Sequence, residues 1–386
     1  MRRLLFLASA MIFFDVAFFA AIAPLLPDYV ENLGLSKAEA GFLSASYAAG
    51  TLLGSLPAGF VASRVGPRRT VIVGLLLLGC ASLVFGFAEE IVLLDSARFI
   101  QGIAGALIWS GALTWLITTA PEENRGSVIG AALGTAVAGA LLGPALGAIA
   151  GSVGTEPVFS SVLVVTIVLA IAAARLPETR APERQTLREV GTTLCSRPVL
   201  NAAAFVAVPS VMFGAIEVLV PLRIDSLGGN HGLIAAGFIA GAALEAMLAP
   251  LAGRISDRVG RRLPYVAGLA ICALAMVAIA EVATLEEVIG GLIFTSLGAG
   301  LCFAPALTLI SDVAEASRLH QGFAAGLSNM AWASGQVIGG IGGGVVASLT
   351  GNAEPSLAIA LLLALTVVYA FRTMDPGAEP RPARPA

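Results

Sequence analysis

Long apolar runs follow one another from Leu4 nearly to the end of the chain, separated by short polar breaks. A bilayer core of ~30 Å takes about twenty such residues to cross as a helix. Inside lipid the backbone has no water to bond, which leaves only helices or closed barrels. Twelve runs predict twelve helices, at 4–27, 38–62, 70–88, 91–119, 127–151, 156–175, 198–222, 232–253, 263–281, 287–312, 322–348 and 354–372. At 57% hydrophobic and 12% charged, the chain is far from a soluble domain, where about a quarter of residues are charged. The opening Met-Arg-Arg and apolar run look like a secretory signal. The run exceeds the usual signal core, however, and "PLLP" stands where cleavage would fall, so it is expected to remain as the first span. The expected fold class is an all-α membrane protein of twelve transmembrane helices.

Arginine sets the expected orientation. An even number of spans puts both termini on one side, and that side holds 19 basic residues, from Arg2 and Arg3 to Arg384, against Lys37 and Arg223 on the other. Basic loops mark the cytoplasmic side, so both termini are expected there, in an inner (plasma) membrane. The chain also repeats itself. "GFVASRVGPRR" begins at Gly59 and "GRISDRVGRR" at Gly253, an offset of 194, and Ala112-Leu113-Thr114 returns as Ala306-Leu307-Thr308. Gly126, Gly139 and Gly143 match Gly322, Gly335 and Gly339 at an offset of 196. Two six-helix halves of the same orientation follow: 1–175 and 198–372, joined by a polar cytoplasmic linker at 176–197 and followed by a tail at 373–386. In transporters built on parallel repeats the substrate site lies near the midplane between the halves, whose rocking alternates access.

Four sets of residues stand out. The repeated loop carries Gly59, Arg64, Gly66, Arg68 and Arg69 in its first copy, and Gly253, Asp257, Arg258, Gly260, Arg261 and Arg262 in its second. Ser63 stands where the second copy has Asp257, and Pro67 is inserted. Span four holds Arg98, Gln101 and Gly102 in "RFIQG"; span five holds Gly130, Gly139, Gly143, Pro144 and Gly147. Span one carries Asp15 ahead of Pro24 and Pro27, and span seven carries Glu217. Together these resemble the major facilitator superfamily over essentially the whole chain. Within it they are similar to the twelve-span drug:proton antiporters and their vesicular amine transporter relatives. The resemblance implies that the loop motif locks a cytoplasmic gate, that Arg98 tunes a proton-carrying carboxylate, and that the span-five glycines mark an antiporter. It departs at Ser63, at Ala148 in place of the usual last glycine, and at spans ten and eleven, where Gly300 and Asn329 fall near the relatives' further acids.

The residues carry their own argument. Asp15 lies about 16 Å along its helix from Leu4, near the middle of the core and out of snorkelling range. It must face the bundle interior, be protonated, or pair with a cation. Burial and a nearby arginine act in opposite senses on its proton, which suits a group that titrates in use. Asp15, Arg98, Glu217 and Glu245 are therefore the expected proton or cation coupling residues. Plainer readings stand beside each: Asp15 as a structural hydrogen bond between helices, Arg98 snorkelling outward or satisfied by Asp95, and Glu245 as a second proton site or a gate partner for loop arginines. The glycines also suit ordinary small-residue packing. Phe18, Gln101, Trp109, Asn329, Trp332 and Gln336 are candidate cavity lining, since aromatic faces beside a carboxylate suit an organic cation; packing or lipid contact is the alternative for each.

The expected function is proton-coupled antiport, or efflux, of lipophilic or cationic small molecules by alternating access, in a chain that acts as a monomer. The partners are substrate, protons and the bilayer, with no nucleic acid. No cofactor or metal is expected: the chain has no Gly-x-x-x-x-Gly-Lys-Ser/Thr loop, and His231 and His320 have no metal-ligand partner at helical spacing. An enzyme is disfavoured, since no nucleophile–base constellation is seen. The rivals are a symporter or uniporter for a nutrient or organic anion, and a membrane receptor or scaffold.

Overall fold

The computed structural model describes residues 1–121, 125–178, 191, 193–317 and 321–374. Most of the expected linker (179–190 and 192) and most of the tail (375–386) lie outside the described residues. The helical segments are α1 (Arg2–Ala20), α2 (Ile22–Leu33), α3 (Lys37–Val65), α4 (Pro67–Phe87), α5 (Ile91–Thr119), α6 (Arg125–Val153) and α7 (Thr155–Ala174). After the linker come α8 (Arg197–Ser226), α9 (His231–Val259), α10 (Arg262–Ala280), α11 (Leu285–Ala316), α12 (Gln321–Leu349) and α13 (Ala353–Thr373). With α1 and α2 taken as one broken span, there are twelve crossings among the described residues.

The first span departs from the expected 4–27. It runs from Arg2 to Leu33 and breaks at Ala21. Pro24 has no N–H to give the carbonyl four residues back, at Ala20, so the helix ladder is interrupted there. The helix then continues past Pro27 and stops where Gly34 takes a φ of 65°, a conformation that favours glycine. The α3 start is set by a capping box: the Ser36 side chain accepts from the Glu39 N–H, and Glu39 accepts from the Ser36 N–H at 2.7 Å.

Ten spans among the described residues are long and apolar enough to cross a membrane by length and composition alone. α3 and α12 do not reach that mark, and they run through the centre of the bundle. There Gly41 abuts Gly340, and Gly344 abuts the Lys37 carbonyl, so the two backbones come close enough to exclude lipid. The outside of the bundle is the reverse of a soluble protein. Phe6, Leu53, Val92, Met247 and Leu361 stand well exposed, while Asp15, Arg98, Gln101 and Thr295 are buried. That belt faces the acyl chains.

The repeat appears in the packing as well as in the letters. Gly139, Gly143 and Gly147 of α6 lie against Phe13, Ala17, Ala20 and Ala21 of the first span. Their counterparts Gly335, Gly339 and Gly343 of α12 lie against Ala207, Val211 and Ala215 of α8. Each half thus seats its fifth span on its first through a glycine row at a spacing of four. Gly130, grouped with that row in the sequence, has open space where a Cβ would stand and takes no part. Apolar cores form on either side, one mainly from α1 to α7 and one from α8 to α13.

A Cβ at Gly339 would run into the Val211 carbonyl, whereas a Cβ at Gly342 meets nothing within 4 Å. Gly339→Ala is expected to lower stability by about 1–3 kcal/mol, as overpacking does. Gly342→Ala is expected to be neutral or to stabilise by up to about 1 kcal/mol through helix propensity. Thermal unfolding of the two variants in detergent, followed by size-exclusion chromatography, checks this opposite pair of signs.

Candidate functional site

A cavity of about 360 Å³ opens between the two halves, within the range of small-molecule sites. The first half contributes Asp15, Phe19, Tyr47, Thr51 and Trp109; the second contributes Glu217, Phe238, Glu245, Asn329 and Trp332. Helical spacing puts these side chains on common faces: Asp15 and Phe19 are four apart on α1, and Phe238, Ala242 and Glu245 follow one stripe of α9. Among the described residues the lining holds three carboxylates and no lysine, arginine or histidine.

Asp15 is 1% exposed and fully engaged. The Tyr47 hydroxyl donates to it, 3.0 Å from Oδ1 and 3.1 Å from Oδ2, and the Trp109 indole N–H donates to Oδ2 at 3.0 Å. Gly105 makes room for this cluster, because a Cβ there would press on the Tyr47 hydroxyl and the Asp15 carboxylate. Arg98 is also 1% exposed, so it does not snorkel outward. Nor does Asp95 satisfy it: Asp95 accepts from the Ser46 hydroxyl at 3.2 Å instead. The guanidinium donates to Gln101 Oε1 at 3.1 Å and to the carbonyls of Phe18 and Phe19 at 3.5 and 3.3 Å. It lies 5.1 Å from the Tyr47 ring centroid, with the Phe19 and Phe85 rings at 5.8 and 5.9 Å. Among the described residues no carboxylate forms a salt bridge with it. Arg98 and Asp15 are therefore linked through Tyr47, one by the ring face and the other by the hydroxyl.

Tyr47 was not a candidate on sequence grounds. The signal available was a lone aromatic with a polar tip in the small-residue run "SASYAAGTLLGS". Three expected lining residues are displaced from the wall. Phe18 packs against Phe14 and Phe159, and Gln101 is held between Arg98 and the Ser82 hydroxyl. Gln336 sits behind Glu217, donating from Nε2 to Oε1 at 3.5 Å. Trp109, Asn329 and Trp332 do line the cavity, and Trp332 also meets Phe19 across the halves, edge to face at 5.3 Å between centroids.

The repeated loop motif sits at the arginine-rich end. Gly66 and Gly260 take φ values of 98° and 85°, so each turn needs glycine. Arg68 donates to the Leu176 carbonyl and, with Arg69, pairs with Glu178 at 3.1 and 3.6 Å. Arg261 pairs with Asp312. Asp257, part of the expected gate motif, is exposed and has no ion pair among the described residues. Arg261 thus pairs within its own half, whereas Arg68 and Arg69 hold the first residues of the linker. Two polar contacts that cross the halves lie at the other end: Lys37 donates to Asn352 at 2.6 Å, and His231 Nε2 meets Asp28 Oδ1 at 2.7 Å.

Comparison with known proteins agrees with this architecture. The family model of the Major Facilitator Superfamily matches residues 5–246 and 232–386. A chloramphenicol resistance protein of Streptomyces lividans is 27% identical over 380 residues, covering 94% of both chains. An MFS-type transporter of Metarhizium majus is 31% identical over 125 residues, but that stretch is only 31% of this chain and 27% of the relative. Among solved structures, a D-xylose-proton symporter superposes with a TM-score of 0.76 over 97% of each chain at 16% identity, a likeness of fold alone. The chain, with its two glycine-seated halves and a cavity between them, belongs to the major facilitator superfamily of membrane transporters.

Proposed function

We propose that this transporter exchanges protons for lipophilic or cationic small molecules and exports them. The observation that carries the reading is the cavity wall: three carboxylates, several aromatic faces and no basic side chain. An anion entering that space would meet only like charge, whereas an organic cation meets carboxylates and π faces. Asp15 is the coupling carboxylate in this reading. It is out of reach of either membrane surface, and Tyr47 and Trp109 hold it by hydrogen bonds. The Arg98 charge stands one ring away. A proton gained or lost at Asp15 changes what Tyr47 and Arg98 are attracted to, and all three sit where α1, α3 and α5 converge. The drug-resistance name of the S. lividans relative supports efflux as the direction. The arginine-rich end faces the cytoplasm of a plasma or inner membrane, and one chain, with both halves, is the working unit.

The test uses purified protein in liposomes loaded with a pH-sensitive dye. With an imposed pH gradient, organic cations are expected to trigger proton movement in the wild type and not in Asp15→Asn. Full coupling in that variant would overturn the assignment. Tyr47→Phe, which removes one donor to the carboxylate, is expected to slow coupled transport about tenfold, the scale of a hydrogen bond to a charged group. The same dye assay reads that rate.

A further inference from the structure

The three carboxylates of the cavity are not equivalent. Asp15 already has donors on both oxygens, from Tyr47 and Trp109. Glu217 has the Gln336 amide at 3.5 Å. Glu245 has no hydrogen bond or ion pair among the described residues, although it lines the cavity. The polar groups lining the cavity from the neighbouring helix do not supply one. The Thr295 hydroxyl donates to the Gly291 carbonyl at 2.8 Å, and the Ser296 hydroxyl to the Leu292 carbonyl at 3.1 Å, so both protons are spent within α11. Gly300 lets α11 approach the α9 backbone at Glu245 itself, since a Cβ there would press on Leu248 and on the Glu245 backbone. That approach seats Glu245 firmly in the wall.

An ionised carboxylate in the wall of a membrane cavity offers only acceptor sites, and without a donor from the protein it is met by a proton or by a cation from outside. Among the described residues no basic side chain lines the cavity to fill that role. About two turns away on the same stripe of α9 stands Phe238, an aromatic face for the apolar or cationic part of a ligand.

We infer that Glu245 is the contact for the positive charge of the substrate, and that Asp15, closed off by Tyr47 and Trp109, is not. This rests on the cation reading above and divides the labour within it: coupling in the first half, recognition of charge in the second. The substrates that fit are monocations carrying aromatic or bulky apolar groups.

The experiment measures binding to the full chain in nanodiscs, without a gradient. The probes are methyltriphenylphosphonium and its uncharged isostere 1,1,1-triphenylethane, which differ in charge and not in shape. The wild type is expected to prefer the cation. Glu245→Gln is expected to lower cation affinity about tenfold or more, while retained binding of the neutral probe reports an intact fold. Asp15→Asn is expected to keep the preference for charge. If Glu245→Gln keeps its preference, or loses both probes equally, or if Asp15→Asn alone abolishes the preference, the inference is overturned. A wild type that binds both probes equally would instead remove the cation reading of the function, a different failure from the same measurement.

Discussion

The close approach of α3 to its neighbours is what the rest of the structure depends on. Gly41 meets Gly340 of α12, and Gly50 lies against the α5 backbone at Phe99 while Gly102 of α5 lies against that of α3 at Tyr47. Between hydrocarbon tails and a helix there is no hydrophobic gradient to exploit, so association relies on packing at short range. Glycine allows that range, and it also brings polar groups of three helices within hydrogen-bond distance of one another. Asp15, Tyr47 and Arg98 meet because α1, α3 and α5 are this close. A larger residue at Gly105 would press on the Asp15–Tyr47 contact as well as on the helix spacing.

The same closeness explains how a membrane-buried arginine persists without a carboxylate beside it. Insertion of arginine at a helix centre costs about 2.5–3.5 kcal/mol on translocon scales, a cost that internal partners offset. Here two backbone carbonyls next to the break in the first span, one side-chain amide and three aromatic faces supply them. The Phe18 and Phe19 carbonyls lie just before the break at Ala21, and each accepts from the guanidinium. The kink in the first span and the burial of Arg98 are parts of one arrangement.

Much of this was legible in the sequence and some was not, for physical reasons. Span number and fold class follow from apolar length, because the bilayer imposes it. The glycine rows of α6 and α12 were visible as a repeat. Even so, Gly130 could not be told from Gly139, since both are small and only a neighbour distinguishes them. Asp15 was visible because a carboxylate in an apolar run is costly. Tyr47 was not: tyrosine is common enough in a helix that nothing in its own run marks it, and its role exists only through residues 32 positions away in the chain. The resemblance makes the loop motif a cytoplasmic gate lock, while its ion-pair partners among the described residues include Glu178 in the linker and Asp312 of the second half. Charge pattern tells that a pair will form, not which of several nearby acids will form it.

The two halves repeat their backbone packing and differ in their polar content, and that difference is what makes a cycle possible. Matching glycine rows seat the fifth span of each half on its first. What must change between access states is the set of contacts that cross from one half to the other. At the arginine-poor end these are Lys37 with Asn352, Asp28 with His231, and the glycine contact of α3 with α12. The two polar pairs are partly exposed, so water can replace each partner as it separates, and the exchange costs little. At the cavity the crossing contact is Phe19 with Trp332, an aromatic pair worth about 0.5–1.5 kcal/mol beyond its burial. Under the proposed function, a bound aromatic cation would offer those rings a substitute face. The polar and aromatic crossing contacts named here are weak ones, and the close glycine packing of α3 on α12 is what remains to be parted at that end.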